Sequence, residues 1–210
     1  MSTDPVRESV ARYYTGTLAA HGPTFRGVDW NSEASQDLRF TQLLRVVDRR
    51  EASINDYGCG YGALAARLRR DGHVGTYQGY DLAEAMTAAA SVQHAATSAT
   101  RFTSRRDELE TADYTLASGI FNVRLDTPVD AWERYIRETL DDMARVSRRG
   151  FAFNLLTLHS DPSRRREDLY YADPAGWLAD CLARYTPHIA LLHDYALFEF
   201  TVLVRLEVEG

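Results

Sequence analysis

Cysteine, long apolar runs and metal-ligand spacings are all scarce in this 210-residue chain. Only Cys59 and Cys181 are present, and Cys59 lies in a glycine-rich stretch, so we expect no structural disulfide and a reducing, cytoplasmic compartment. No apolar run approaches the length that spans a bilayer, and the first residues lack the apolar segment of a secretory signal. His and Cys do not occur at the spacing of a zinc site, so no metal is expected.

An excess of positive charge is also missing. The chain has 24 basic and 30 acidic residues and a net charge of −6, which disfavours polyanionic partners. We therefore expect neither nucleic acid nor a membrane surface as a partner. With 45% hydrophobic and 26% charged residues, the composition is that of an ordinary globular domain with a sizeable core.

The most informative stretch is I-N-D-Y-G-C-G-Y-G-A-L, residues 54–64. A short strand is followed by glycines at three alternate positions, Gly58, Gly60 and Gly62, and then by an alanine- and leucine-rich helix. Glycines at such a junction allow a tight turn and let a ligand press against the backbone. The helix that follows directs its free N–H groups toward that ligand. Asp56, at the end of the strand, could accept hydrogen bonds from an ammonium group.

A second carboxylate follows at Asp81, in Y-Q-G-Y-D-L, where the next strand should end. A carboxylate at that position can bind both hydroxyls of a ribose, as in nucleotide-binding α/β folds. Asp56 and Asp81 together describe a pocket for an adenosine-like ligand with a charged tail. The run D-Y-G-C-G-Y-G, with Asp81 on the next strand, resembles the class I S-adenosylmethionine-dependent methyltransferases and fits their acidic-x-Gly-x-Gly-x-Gly pattern at every fixed position. The resemblance implies S-adenosylmethionine as the cofactor.

A dinucleotide site is the main competing interpretation. Gly58-x-Gly60-x-x-Ala63 also satisfies the G-x-G-x-x-G/A pattern, and Asp81 lies near the expected distance. The protein would then be an NAD(P)-dependent oxidoreductase. Asp56 argues against this alternative, because a dinucleotide places its pyrophosphate at this turn, where a carboxylate would repel it. The methionine tail of S-adenosylmethionine instead carries an ammonium group, which a carboxylate attracts.

Strand and helix patterns alternate along the chain. Helices are predicted at 4–20, 33–49, 62–70, 83–95, 130–147 and 174–185, and strands at 53–57, 76–80, 100–104, 113–118, 151–157, 188–193 and 197–207. This alternation predicts an α/β fold, a doubly wound, mostly parallel seven-stranded sheet with helices on both faces. The last two strands should form a C-terminal antiparallel hairpin, a further resemblance to the methyltransferase family. Residues 1–49 would then form a helical cap over the cofactor, and residues 50–210 the Rossmann-like methyltransferase domain.

The resemblance implies further cofactor contacts beyond the carboxyl ends of the strands, where open α/β sheets bind ligands. Leu82 and Met86 could hold the adenine ring between them, and Ser118 would lie beside the sulfonium centre. Asp107 could accept a hydrogen bond from the adenine amino group. Ordinary helix packing is the alternative for Met86, and a solvated loop carboxylate is the alternative for Asp107.

The segment before the first strand should fold over the cofactor. Tyr14 and Trp30 are candidate lid residues, since an aromatic face suits a sulfonium cation, and Tyr14 is also a candidate for contact with the substrate. Arg39 could pair with the methionine carboxylate. Core packing is the alternative for the aromatic residues, and an exposed helix position is the alternative for the arginine.

Methyl transfer is an in-line displacement that depends mainly on placement and desolvation, so a strong base is not always needed. If the acceptor is a hydroxyl, a histidine could remove its proton. His159 follows the fifth strand and His193 lies at the turn of the final hairpin, so both should face the substrate. Tyr170 and Tyr171 lie between them in sequence and could line the pocket. A structural role is the alternative for each histidine.

These features predict S-adenosylmethionine-dependent methyl transfer to a small-molecule acceptor, more readily a hydroxyl of a sugar or natural product than a nitrogen. The fourth strand ends in S-G-I-F-N and lacks the Asn/Asp-Pro-Pro-aromatic sequence of enzymes that methylate exocyclic base amines. We expect a monomer or a homodimer. A methyltransferase-like protein that binds the cofactor without transferring methyl is a further alternative.

Overall fold

The computed structural model of the protein describes residues 4–207, so positions 1–3 and 208–210 of the two predicted domains lie outside the described residues. The helices in this range are α1 (Asp4–His21), α2 (Glu33–Leu43), α3 (Ala63–Arg70), α4 (Glu84–Gln93), α5 (Val129–Arg145) and α6 (Pro174–Arg184). The strands are β1 (Ile54–Tyr57), β2 (Tyr77–Tyr80), β3 (Thr100–Thr103), β4 (Ala112–Ala117), β5 (Ser147–Thr157), β6 (Tyr171–Ala172), β7 (Ile189–Leu192) and β8 (Glu199–Arg205). Short 3-10 turns occur at Phe25–Val28, Leu44–Val46, Arg106–Glu108 and Pro162–Arg164.

The strands form one mixed sheet in the order β3-β2-β1-β4-β5-β8-β7. β1 to β5 pair in parallel, whereas β8 is antiparallel to both of its neighbours, β5 and β7. The predicted seven-stranded sheet with a C-terminal hairpin is therefore confirmed, and the two-residue β6 is an addition beside the end of β5. The strand order reverses between β1 and β4, so the carboxyl ends of these two strands border the crevice in which such sheets bind ligands.

Two element boundaries differ from the sequence prediction. The second helix, predicted over 33–49, ends at Leu43 and tightens into a 3-10 turn, because the chain must already be extended at Val47 to enter the sheet. β5 begins at Ser147, four residues before the predicted start at 151. Gly150 explains the longer strand, since it pairs within the ladder and a Cβ there would lie 2.4 Å from the carbonyl oxygen of Val204.

Apolar side chains cover both faces of the sheet. One cluster, with α5 and α6, is rich in aromatic residues and includes Phe121, Trp132, Phe151, Phe153 and Phe200. The other, with α2 and α3, includes Leu43, Ile54, Leu64 and Leu116. α1 joins the first cluster through Val10, so the segment before β1 is packed onto the sheet domain. Across residues 4–207, no helix combines the length and apolar character needed to cross a membrane.

Candidate active site

The glycine-rich loop after β1 is fixed by a carboxylate that follows β2. The backbone N–H of Gly60 donates to Asp81 Oδ2 at 2.8 Å, and that of Ala83 donates to Asp81 Oδ1 at 2.9 Å. The φ angles of Gly58, Gly60 and Gly62 are 85°, 52° and 87°, in the left-handed region that residues with side chains rarely adopt. The parallel pairing of β1 with β2 thus brings the glycine motif and the second acidic residue side by side.

Asp56 and Asp81 are carboxylates that no cationic side chain within residues 4–207 neutralises. Asp56 is only 3% exposed and accepts a hydrogen bond from the Tyr77 hydroxyl at 2.6 Å. Burial raises the pKa of Asp56 to about 7; the Tyr77 hydrogen bond opposes this shift and the charge of Asp81 adds to it. Burial also raises the pKa of Asp81 to about 6, against the effect of its two backbone donors. Two such carboxylates fit a ligand that brings an ammonium group and ribose hydroxyls.

The groove beside these carboxylates, called here the cofactor groove, contains most of the predicted cofactor contacts. It is lined by Tyr14, Trp30, Asp56, Gly58, Gly60, Asp81, Met86, Ser118 and Gly119, with Gln36, Phe40 and Tyr61 as linings that were not predicted. Ser118 lines the groove, and within residues 4–207 its Oγ is buried without a hydrogen-bond partner. Leu82 lies in a smaller adjoining hollow, and Gly62 is the N-cap residue of α3.

A ring of contacts surrounds Trp30 at the edge of the cofactor groove. The Arg39 guanidinium lies 3.9 Å from the centre of the Trp30 ring, and Arg39 Nε lies 2.9 Å from Glu199 Oε1. Asn154 Nδ2 donates to Glu199 at 3.1 Å, and Gly119 N donates to Asn154 Oδ1 at 2.8 Å. Gly119 packs against Trp30 and completes the ring, since a Cβ on Gly119 would lie only 2.0 Å from the indole. Contacts from α2, β5, β8 and the loop after β4 thus fix one indole ring.

This ring gives Arg39 a partner that was not predicted. Arg39 is 7% exposed and Glu199 is fully buried, so the charge of the guanidinium is neutralised within the protein. Pairing of Arg39 with the methionine carboxylate stays a prediction. Sequence reasoning missed both Glu199 and Asn154. The available signal was a single polar residue inside an apolar strand, in F-E-F and in F-N-L, because a buried polar group needs a partner.

A second pocket adjoins the cofactor groove. Tyr14, Val28, Trp30 and Gly119 line both, so these residues form the boundary between the two spaces. The rest of the second pocket is lined by Asp29, Asn31, Arg39, Asn122, Val123, Leu156, Arg166 and Leu169. Of the residues predicted to contact a substrate, Tyr14 lines both spaces, and its role stays a prediction. Burial raises the pKa of Tyr14 well above its usual value, so its hydroxyl is neutral.

Asp107 and Tyr170 were predicted as site residues but line neither the cofactor groove nor the second pocket. Asp107 is exposed in the turn after β3, 2.9 Å from Arg105, and this hydrogen bond lowers the pKa of the carboxyl. Tyr170 is buried; its hydroxyl donates to Glu133 at 3.0 Å and accepts from the Trp177 indole at 3.1 Å. Asp107 is held by its charged neighbour at the surface, and Tyr170 packs with α5 and α6.

The predicted histidines meet, but away from the groove. The rings of His159 and His193 have centroids 6.1 Å apart, and both residues are exposed. They lie at the end of the sheet where β5 finishes and the final hairpin turns, yet neither lines the cofactor groove or the second pocket. Tyr171, in β6, accepts a hydrogen bond from the Arg166 backbone at 3.1 Å, beside the second pocket but not in its lining. The catalytic role of the histidines stays a prediction.

Comparisons with known proteins agree with this architecture. No family model matches the sequence. The Mycobacterium tuberculosis protein Rv1506c, which its name provisionally assigns to the methyltransferases, is 46% identical over 163 residues, covering 77% of this chain and 98% of the relative.

Solved structures share the fold. Magnesium protoporphyrin IX methyltransferase from Synechocystis PCC 6803, with bound S-adenosylmethionine, gives a TM-score of 0.66 at 14% identity and covers 99% of this chain and 98% of that one. The Burkholderia thailandensis 1,6-didemethyltoxoflavin-N1-methyltransferase, with substrate and S-adenosylhomocysteine, gives 0.60 at 20% identity and covers 95% and 89%. The glycine loop, the two strand-end carboxylates, the sheet order and the curated relative together show that this chain belongs to the class I S-adenosylmethionine-dependent methyltransferases.

Proposed function

We propose that this chain transfers the methyl group of S-adenosylmethionine, the cofactor of its family, to a hydroxyl of a small molecule. The observation that carries the proposal is the pair Asp56 and Asp81 beside the glycine loop, two carboxylates with no cationic partner in the described part of the chain. A pyrophosphate would meet repulsion there, whereas an ammonium group and ribose hydroxyls would satisfy both carboxylates. This difference favours S-adenosylmethionine over a dinucleotide.

Different residues of the groove would bind different parts of the cofactor. Asp56 would take the ammonium group of the cofactor, Asp81 the ribose hydroxyls, and Leu82 with Met86 the faces of the adenine. The bound cofactor supplies a methyl group activated by the positive charge on its sulfur. Ser118 would lie beside that sulfur. The protein's own contribution is then placement and exclusion of water.

The segment before β1 is proposed as the cap over the cofactor. The Tyr13 hydroxyl donates to Asp29 at 2.9 Å, and Thr17 Oγ1 donates to the Gly27 carbonyl at 2.8 Å, so α1 holds the turn that precedes Trp30. Arg39 would act on the cofactor through the Trp30 ring on which it stacks. The aromatic face of Trp30 is suited to a sulfonium cation.

The end of β4 reads S-G-I-F-N, and Gly119 packs directly against Trp30 there. Enzymes acting on base amines carry a different sequence at this place, which argues against a nucleic-acid substrate. The preference for a hydroxyl over a nitrogen of a small molecule is proposed from the sequence prediction. The names of structural neighbours do not decide this point, because one of them is an N1-methyltransferase. Placement is proposed to drive the transfer; where a hydroxyl acceptor needs a base, His159 and His193 are the candidates. The protein is proposed to act as a monomer or homodimer without nucleic acid.

Calorimetry with S-adenosylmethionine, S-adenosylhomocysteine and NAD tests the proposal. We expect micromolar or tighter binding of both sulfur ligands, no response to NAD, and weaker binding in Asp56→Asn, which keeps the shape but not the charge. Binding of NAD alone would make the protein an oxidoreductase. If the sulfur ligands bind but a broad panel of hydroxyl and amine acceptors yields no S-adenosylhomocysteine, the protein binds the cofactor without transferring methyl.

A further inference from the structure

We infer that the second pocket is the acceptor site and that it takes a molecule that carries no negative charge and whose bound end has an O–H or N–H donor. The inference rests on the proposed methyl transfer and adds the chemical class of the acceptor. A molecule in this pocket would meet the cofactor groove at Tyr14, Trp30 and Gly119, which line both spaces. Ser118, with its unsatisfied hydroxyl, directly precedes Gly119.

The cations of the second pocket already have anionic partners. Arg39 is bound to the buried Glu199 at 2.9 Å. Arg166 Nη2 lies 2.5 Å from Asp168 Oδ2, and its Nε lies 3.0 Å from Asp168 Oδ1, so the guanidinium faces that carboxylate with two donors. A carboxylate or phosphate on the acceptor would have to break one of these pairs. An anionic acceptor is therefore disfavoured.

The one remaining charge in the lining is negative. Asp29 accepts a hydrogen bond from the Tyr13 hydroxyl at 2.9 Å. The hydrogen bond and the charge of Asp168 raise the pKa of Arg166, and the charge of Asp29 adds to this rise. Asp29 therefore lies within electrostatic reach of that guanidinium. The Arg39 pair is neutral, and Asp29 shares the Arg166 guanidinium with Asp168, so the pocket carries an excess of one negative charge. An anion would therefore meet repulsion here.

One neutral polar atom in the lining is unsatisfied. Asn122 is 5% exposed, and its Oδ1 is buried without a hydrogen-bond partner. Its backbone is held at both ends, because its N–H donates to the Gly119 carbonyl at 3.4 Å and its carbonyl accepts from Tyr170 N at 2.8 Å. A buried carbonyl oxygen without a donor is unfavourable. A hydroxyl or N–H group of the acceptor would satisfy it.

The test measures binding of four matched probes to the protein saturated with S-adenosylhomocysteine. The probes are 4-methylphenol, 4-methylanisole, 4-hydroxybenzoate and tyramine, which share a ring but differ in charge or in the phenolic donor. The readout is the indole N–H signal of Trp30 in nitrogen-15 correlation spectra, assigned with Trp30→Phe. Trp132 serves as an internal reference, because its indole is buried and bonded to the Phe121 carbonyl.

We expect 4-methylphenol and tyramine to shift the Trp30 signal with dissociation constants about tenfold below that of 4-hydroxybenzoate. 4-Methylphenol should also bind about fivefold or more tightly than 4-methylanisole. Asn122→Ala should abolish the difference between the phenol and the anisole while leaving S-adenosylhomocysteine affinity within about twofold. Asn31→Ala, an exposed asparagine in the lining of the same pocket, is the matched control and should preserve that difference.

Preference for the benzoate overturns the inference, as does a Trp30 signal that no probe moves. Equal binding of the phenol and the anisole in the unmodified protein also overturns it, and this result does not depend on whether Asn122→Ala folds. Failure of S-adenosylhomocysteine to bind at all is a different result. It refutes the proposed function itself, because the cofactor groove would then lack its ligand.

Discussion

The two sides of Trp30 are built in opposite ways. On the cofactor side, Asp56 and Asp81 are 25 positions apart and are brought together by the pairing of adjacent strands. On the other side, Arg39 and Glu199 are 160 positions apart and meet only because β8 is inserted beside β5. The first side leaves its charges open to a ligand, and the second neutralises its charges internally. The cofactor side can therefore be recognised from a short motif, whereas the other side depends on the complete fold.

The largest effect should follow from removing one partner of the buried ion pair. Glu199→Leu leaves the Arg39 guanidinium without its carboxylate, and we expect the free energy of unfolding to fall by about 3–5 kcal/mol in urea titrations. Adding Arg39→Met should restore part of the loss, because no buried charge is then unpaired. The exposed Asp107→Ala is the control and should leave the unfolding midpoint unchanged. A cost below about 1 kcal/mol for Glu199→Leu would contradict a tightly held pair.

Gly119→Ala should have the next largest effect, because it acts on Trp30 directly. A Cβ would lie 2.0 Å from the indole, and Gly119 has φ of 72°, so both a clash and backbone strain arise. We expect about 2–4 kcal/mol of destabilisation and a displaced Trp30 signal. Gly16→Ala is the matched control, since no atom lies within 4 Å of the position that its Cβ would occupy and the residue is inside α1. An unchanged Trp30 signal in Gly119→Ala would show that the ring of contacts does not fix the indole.

On the cofactor side, the expected losses are in binding. Asp81→Ala should weaken S-adenosylhomocysteine binding by about 1–3 kcal/mol in calorimetry, because the ribose hydroxyls and the backbone N–H groups of Gly60 and Ala83 lose their acceptor. Asp81→Asn keeps the shape and one oxygen acceptor, so it separates loss of charge from loss of loop support. An affinity unchanged in both variants would mean that Asp81 does not contact the cofactor.

This difference between the two sides explains which features could be predicted. The mostly parallel sheet, its closing hairpin and the glycine loop followed from local patterns. The rule that ligands bind at strand ends led to the groove, which Trp30 and Met86 line. Glu199 and Asn154 could not be paired with Arg39 and Gly119 from sequence, because their contacts depend on the register of β5 with β8. Tyr170 was misplaced for a related reason. Its direction depends on α5 and α6, which supply Glu133 and Trp177 as its partners.

The pH dependence of stability and of ligand binding should also distinguish the two sides of Trp30. Burial raises the pKa of Asp56 to about 7 and that of Asp81 to about 6, above an unfolded value near 3.9. The cofactor-free folded state therefore holds protons that the unfolded state has released, so this part of its stability is complete below pH 4 and is lost as pH rises toward 7. An ammonium ligand needs the ionised form, so S-adenosylhomocysteine affinity should rise from pH 5 to 7, by up to about tenfold per unit for each carboxylate that must ionise.

Calorimetry between pH 5 and 8 checks this pH dependence, with Asp56→Asn as the matched variant. That variant should bind more weakly at neutral pH and should lose the part of the rise that belongs to Asp56. Glu199 is the contrast on the other side of Trp30. Burial raises its pKa as well, but Arg39 opposes the shift inside the fold, so Glu199→Gln should leave the pH dependence of binding intact. A pH-independent affinity in the unmodified protein would show that ligand binding is not coupled to these carboxylates.

The smallest effect is expected at His159 and His193, which are exposed and outside both the groove and the second pocket. If placement by Trp30 and its contacts drives transfer, His159→Gln, His193→Gln and the double variant should each lower kcat by less than about tenfold. The sequence prediction of a general base requires a different result, a loss of roughly 10²–10⁴-fold. It also requires that the rise of kcat with pH disappears in the variants, because a base must be neutral to act. The double variant decides between them, since the rings are 6.1 Å apart and one histidine could replace the other. A large loss only in the double variant would make the pair the base and would place the acceptor hydroxyl nearer the final hairpin than the second pocket.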